Sequence, residues 1–383
     1  MRRSPWYRAF KEHLIAYGFM APALVILGVF GLFPVGYAVY VSMHQWQYRK
    51  GPFIGARYYI QALGAPRFMA CFAVGVALLI LAWRLWRGLQ SIRNTVGPFG
   101  RGIAALALMG GGLCLIFGVP GMIRTGDPVL FNGLKVTALY AIGSIPFQLG
   151  IALVLAYALF QRVAGKGVFR LVFFLPYVTP MIASAVVFRS IFSPRPASIA
   201  NRVLGLLGLK PQQWLFEDTS IVEIVLNAVG ISHVPGWISG AFPSLALASI
   251  ILYNIWVYVG YDTVIFLAGL SSIPPELYEA AQMDGAGRWA VFRHITIPLL
   301  SPTTFFLSMI ALIGTFKAFN HIYIMRTPGA QDTVNTASIV IFDTFFKAGQ
   351  AGYASAMAFV LFGVILSLTL LQNRLLGRKV FYG

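Results

Sequence analysis

Charge is what this sequence has least of. Only 10% of its 383 residues are Asp, Glu, Lys or Arg, where a soluble domain carries about 25%. Acidic residues are scarcer than basic ones, 11 against 29. With 58% hydrophobic residues and a mean hydropathy of +0.76, this composition excludes a water-soluble enzyme and a simple DNA binder. The two cysteines, Cys71 and Cys114, fall inside apolar runs and make no disulfide framework. Five scattered histidines give no zinc-ligand spacing. Neither a His-Glu-x-x-His metal helix nor a Gly-x-Ser-x-Gly nucleophile elbow occurs. A phosphate-cradling Gly-x-x-x-x-Gly-Lys-Ser/Thr loop is also missing. The nearest string, Ala164-Gly165-Lys166-Gly167, lacks the first glycine and the magnesium-binding hydroxyl.

What the chain has in abundance is long apolar runs. About 20 apolar residues cross a bilayer as a helix, and eight stretches qualify, near residues 15–42, 68–86, 103–123, 134–160, 168–192, 245–270, 299–322 and 354–375. The 39 Gly and 21 Pro fit that setting, because neighbouring helices and water re-satisfy backbone groups freed inside a membrane bundle. The first run follows a basic start and exceeds a cleavable signal core, which predicts an uncleaved anchor. The fold expected is therefore an all-α integral membrane protein, a polytopic helical bundle of about eight transmembrane helices.

The net charge of +18 reads as basic loops facing anionic lipid. A cytoplasmic N-terminus assigns sixteen basic residues to the inside: Arg2, Arg3, Arg8, Lys11, Arg84, Arg87, Arg93, Arg101, Arg162, Lys166, Arg170, Arg288, Arg293, Arg374, Arg378 and Lys379. Eleven then lie outside, and Arg189 and Lys317 fall within spans. An even number of spans places both termini in the cytoplasm. The outer loop 193–244 contains amphipathic pieces at Ile199 to Leu209 and Ile221 to Val229. They suit either partner docking or packing on the outer membrane face.

The loop 271–298 is the most informative segment. Ser272 can cap a helix whose first turn takes Pro274 and Pro275. Glu276 and Glu279 then lie toward the positive end of its dipole. Gly285 can turn the chain after Asp284, and a second short helix leads to a span announced by Pro298. Ala280 and Ala281 give the first helix a narrow face between Leu277 and Met283. Such an element can lie in a partner's groove or form an ordinary interfacial hairpin, and spacing alone leaves both open.

The residues Glu279-Ala280-Ala281, Asp284-Gly285-Ala286, Phe292, Ile295, Pro298 and Pro302 resemble the EAA loop of membrane subunits of binding-protein-dependent ABC importers. The similarity extends over roughly residues 130–375. Phe169-Arg170-Leu171-Val172-Phe173-Phe174-Leu175-Pro176-Tyr177 resembles the start of the family's third core span, and Ile199 to Gly205 the outer segment after it. Phe316 to Met325 and Tyr353-Ala354-Ser355-Ala356 resemble the last two spans of the carbohydrate-type subfamily, which includes maltose and glycerol-phosphate permease subunits. Two features depart from the pattern: Pro328-Gly329-Ala330 stands where the family has Gly-Gly-Pro, and the loop from Glu217 to Phe242 is longer.

The resemblance implies a six-helix type I ABC importer core with an inserted hairpin, as in the eight-span maltose-type subunit. The segments expected are residues 1–67, an N-terminal cytoplasmic segment and first span; 68–130, the peripheral transmembrane hairpin; and 131–383, the permease core with its coupling loop at 271–298. It further implies a prokaryotic inner-membrane permease for a sugar or related polyol, with cytoplasmic ABC ATPase subunits, a second homologous permease and an extracytoplasmic solute-binding protein as partners. No cofactor is expected in this chain, ATP and Mg being bound by the ATPase. Glu279, Ala280, Ala281, Asp284 and Gly285 would form the ATPase-coupling element.

Polar residues inside spans are costly and therefore candidates for function. Asn254, Tyr258 and Asp262 recur at i, i+4 on one helix face, and Lys317, Asn320 and His321 cluster on the next span. These faces can line a substrate path, with Tyr253, Trp256 and Tyr323 offering aromatic surfaces. Alternatively, Asp262 and Lys317 form a structural ion pair or sit near water at the membrane ends. A different function, an ion- or proton-coupled secondary transporter, would use Asp262, Lys317 and His321 as its relay. No clear internal inverted repeat accompanies it.

Overall fold

A computed structural model describes residues 5–91, 98–161, 165–231 and 234–377. Arg2, Arg3, Arg93, Arg162, Arg378 and Lys379 of the cytoplasmic set, and Ala164, lie outside the described residues. The chain divides into two compact units, one of Met1–Asp127 with Ile341–Val360, the other of Pro128–Val340 with Leu361–Gly383. Among the described residues, six helices are long and apolar enough to cross a membrane, and two bent helix pairs bring the number of spans to as many as eight.

In the first unit, α1 (Pro5–Ile26) and α2 (Phe33–Ser42) are joined through a π-helical turn, Leu27–Leu32, into one span. A small antiparallel pair follows, β1 (His44–Trp46) and β2 (Lys50–Phe53), with His44 opposite Phe53. The sequence reading held no strand. Next come α3 (Arg57–Leu63), α4 (Pro66–Ser91) and α5 (Pro98–Thr125). The last two form the expected hairpin. Small residues let their backbones approach, as membrane helices require in the absence of a hydrophobic drive. A Cβ at Gly111 would sit 3.0 Å from the Gly75 carbonyl oxygen, and one at Gly118 3.0 Å from the Phe72 nitrogen. The Cys71 thiol donates to the Cys114 carbonyl at 3.3 Å.

The second unit begins with α6 (Pro128–Phe160), α7 (Lys166–Val178) and α8 (Met181–Ile191). The last two were expected as one straight span. They meet instead at 94°, because Pro180 donates no N–H and holds Thr179 in an extended conformation, ψ 137°. The loop then carries α9 (Ile199–Leu206), α10 (Ile221–Ala228) and α11 (Gly236–Ser239). Both amphipathic pieces are thus helices. Asn201, 3% exposed, ties this loop together: its Oδ1 accepts from the Gln212 N–H at 2.9 Å and from Trp214 Nε1 at 2.8 Å.

The central helix is α12 (Leu245–Ser271), capped by Ser244, whose hydroxyl accepts from the Leu247 N–H. After it come α13 (Pro275–Met283), α14 (Arg288–Val291), a π turn at Phe292–Thr296, α15 (Ile297–Leu299) and α16 (Ser301–Phe316). The run from Arg288 to Leu299 bends 61° into α16. The expected seventh span also ends early. Lys317 closes α16, and the chain starts anew as α17 (Asn320–Met325), followed by α18 (Gln331–Val334), α19 (Ala337–Phe346) and α20 (Ala351–Leu376). The departing Pro328-Gly329-Ala330 stretch forms a 3-10 turn, with the neighbouring Thr327 hydroxyl donating to the Leu215 carbonyl.

α12 packs on α6 and α7 through small residues. Ala152 and Ala156 of α6 are wholly buried, and a Cβ at Gly260 of α12 would overlap the Phe173 carbonyl of α7. Two apolar clusters result. One gathers Tyr140, Leu247, Ile250, Tyr253 and Ile322. The other gathers Ala152, Phe266, Leu270 and Leu307 near the C-terminal half of α12.

Candidate functional site

Midway along α12 the bundle holds a cavity of about 490 Å³, within the range of small-molecule sites. Asn254, Tyr258 and Asp262 all line it, as their i, i+4 spacing requires. Much of the rest of the wall comes from two broken spans: Tyr177 and Met181 flank the α7–α8 bend, and Lys317, Asn320 and His321 surround the α16–α17 interruption. The helical register assumed for Lys317, Asn320 and His321 is broken, yet the break brings all three to the cavity.

Its polar groups differ in how they are satisfied. The Asn254 amide donates to Gln148 Oε1 of α6 at 3.0 Å. His321, 3% exposed, shares a hydrogen bond with the Tyr140 hydroxyl at 2.8 Å. Asp262 is 3% exposed, and among the described residues its Oδ2 has no hydrogen-bond partner. Lys317 is exposed to the same cavity, but among the described residues no ion pair joins it to Asp262. The direct ion pair that the sequence left open is therefore not made among the described residues.

The aromatic surface also differs from expectation. Tyr253 does not line the cavity: it is 1% exposed, and its hydroxyl bonds to Ser184 Oγ at 2.7 Å and the Met181 carbonyl at 3.0 Å. One residue along a helix is a turn of about 100°, which carries Tyr253 from the Asn254 face into the core. Trp256 packs against Phe188 with ring centroids 4.8 Å apart and planes tilted by 44°, and Tyr323 lies under the Arg326 guanidinium at 4.2 Å. The aromatic wall is Tyr177, stacked on Tyr261 at 4.6 Å and set edge-on to Tyr258 at 5.8 Å. Gln148, a polar residue in an apolar span, carries the same sequence signal as Asn254. Tyr177 and Tyr261 needed the fold.

At the C-terminal end of α12 lies the loop with the EAA-like residues. Ser272 does not cap α13: its hydroxyl donates back to the Gly269 carbonyl at 2.7 Å, and Pro274 occupies the cap position. Pro275 and Glu276 open α13 as expected. Its end is a Schellman turn, with the Ala286 N–H bonded to the Ala281 carbonyl at 2.9 Å and Gly285 at φ +75°. Tyr278 anchors the helix inward, its hydroxyl 3.4 Å from that of Thr296. Facing out are Glu279, Ala280, Asp284 and Gly285, with Ala281 half-buried. Met283 is 88% and Trp289 69% exposed.

A second cavity, about 380 Å³, surrounds the N-terminal end of α12. Asp218, Glu223 and Asp332, three of the chain's 11 acidic residues, line it together with Lys135 and Asn132. Ser220 is 6% exposed there, and its hydroxyl has no partner among the described residues. The 27 residues of α12 place about 40 Å between this end and α13.

Residues 148–381 match the family described as the binding-protein-dependent transport system inner membrane component. The probable ABC transporter permease protein YurN of Bacillus subtilis is 33% identical over 251 residues, 65% of this chain and 77% of that protein. The lactose transport system permease protein LacF of Rhizobium radiobacter is 29% identical over 282 residues, 72% and 86% of the two chains. A solved chain from a bacterial alginate ABC transporter, in complex with an alginate pentasaccharide-bound periplasmic protein, has a TM-score of 0.63 over 99% of this chain and all of that one. At 19% identity that likeness is one of fold. Spans, fold and relatives agree on a multi-pass inner-membrane permease, and the chain belongs to the family of binding-protein-dependent transport system inner membrane components.

Proposed function

We propose that this chain is one of two permease subunits of an ATP-driven importer, and that its central cavity forms part of the path for a sugar or related polyol. The observation that carries the reading is a single helix, α12, bearing the polar cavity at its middle and the exposed α13 at its end. Asn254, Asn320 and Lys317 offer donors, Asp262 and Gln148 offer acceptors, and the Tyr177–Tyr261 pair offers ring faces. That combination suits a hydroxyl-rich solute. Named sugar permeases among the relatives, for lactose and for arabinooligosaccharides, support the same class.

A cytoplasmic ATPase would dock on α13. Glu279 would make polar contacts, Ala280 and Ala281 would permit close approach, and Asp284 with Gly285 would fix the turn. ATP and Mg would be bound by that subunit, with no cofactor held in this chain. Closure of the ATPase would move α13 as a rigid body and switch the packing of the bundle. Both termini would lie in the cytoplasm. The acidic second cavity, at the opposite end of α12, would face the extracytoplasmic solute-binding protein, the kind of partner present with the alginate transporter.

Mild-detergent purification of this chain from its native membrane, with mass spectrometry of proteins and small molecules that come with it, tests the assembly. An ATPase, a homologous permease and a binding protein carrying a sugar are the expected companions. Recovery of the chain alone, with gradient-driven uptake in vesicles, would move the assignment to a secondary transporter using Asp262 and Lys317.

A further inference from the structure

The hairpin of α4 and α5 stands before the family-matched region of residues 148–381, and the transport reading gives it no task. Where α4 begins and α5 ends, Arg67 and Arg124 line one cavity of about 490 Å³. Both are exposed, and among the described residues neither guanidinium has an ion pair. Among the described residues, no carboxylate lines this cavity. The nearest in sequence, Asp127, accepts from the Tyr353 hydroxyl at 2.5 Å and is not in the wall.

The cleft has a defined build. Gly121, lacking a side chain, lets the Phe68 ring lie flat on α5, where any Cβ would collide with it. The Arg67 guanidinium rests over that ring, 4.7 Å from its centroid. Thr125 fastens the junction, its hydroxyl donating to the Gly121 carbonyl at 2.7 Å and accepting from the Ala65 N–H at 3.0 Å. Deeper along α5 the wall is apolar, with Ile116 66% and Phe117 67% exposed. Eight residues of rise separate Ile116 from Arg124, about 12 Å along the helix.

Two cations at the rim and an apolar wall running into the span describe the two ends of one molecule, a phosphate headgroup and an acyl chain. An isolated arginine at a helix end does no more than reach for the interface. Here guanidiniums from two helices share one cleft, and guanidinium is the side chain best matched to phosphate oxygens. We propose that this cleft binds an anionic phospholipid, its phosphate held by Arg67 and Arg124 and an acyl chain laid against Phe117 and Ile116. The hairpin would then be a lipid-anchoring element.

The test is native mass spectrometry of the full chain, with any co-purifying subunits, titrated with phosphatidylglycerol and with phosphatidylcholine of the same acyl chains. Wild type is expected to retain phosphatidylglycerol selectively. Arg67→Gln and Arg124→Gln should each cut that retention roughly fivefold, and together more steeply, by the worth of a basic residue at an anionic lipid surface. Arg67→Lys with Arg124→Lys should keep part of it, and Phe117→Ala should weaken retention of both lipids. Equal retention of the two lipids, or retention unchanged in the double Gln variant at wild-type melting temperature, would overturn the proposal. So would full displacement by inorganic phosphate at the lipid's own concentration, which would make the cleft a phosphate site. None of these readings depends on whether the chain imports sugar.

Discussion

Two residues carry opposite kinds of cost. Gly285 sits at φ +75° with open space where a Cβ would point, so a side chain there meets no neighbour but forces a left-handed backbone worth about 1–2 kcal/mol. Gly285→Ala should weaken the α13 turn, and Gly285→Val, β-branched, should weaken it more. ATPase activity and uptake, measured together, are expected to separate in the Val variant while the protein stays in the membrane. Wild-type uptake would refute the role of the turn. Asp262 is costly for a different reason, since its Oδ2 is buried in a span with no hydrogen-bond partner among the described residues. Asp262→Asn should keep or raise the melting temperature and lower uptake. Lower stability with unchanged uptake would make Asp262 a structural residue. Both residues were legible in the sequence, Gly285 from its place after a short helix and Asp262 from a charge inside an apolar run. That Lys317 makes no ion pair with Asp262 among the described residues was not, because reach across a bundle depends on which spans are broken.

Breaks and close approaches decide how the elements work. The α7–α8 bend and the α16–α17 interruption both open onto the central cavity, where irregular backbone inside a membrane protein is tolerated because it lines a polar space. Periodicity located the spans but not these interruptions. Pro180 announced the first, by removing a donor and constraining Thr179. Nothing as local announced the second, which ends at Lys317 and turns His321 onto Tyr140. The crossing of α12 over α7 depends on Gly260, where a Cβ would overlap the Phe173 backbone. Gly260→Ala should therefore cost several kcal/mol, of the order seen for severe overpacking, and show as loss of folded protein in a thermal melt of the solubilised chain. A melting temperature within a degree or two of wild type would mean that the helices slide apart freely and that the contact is not a fixed pivot.

At the scale of the molecule, the second unit strings three features along one helix: an acidic cavity at the start of α12, a polar cavity at its middle and an exposed helical elbow at its end. The membrane class, the hairpin and the elbow could be read from composition, hydropathy and the Glu279 to Gly285 motif. The acidic cavity could not, since Asp218, Glu223 and Asp332 meet only once the loop 193–244 has folded back on α6 and α18. In the proposed mechanism, force enters at one end of α12 and solute at the other. Its most direct test is uptake of labelled sugar into proteoliposomes holding the purified assembly, with ATP inside and the binding protein outside, each omitted in turn. Uptake is expected only when both are present, and none with a proton or sodium gradient alone. Uptake driven by a gradient without ATP would contradict it.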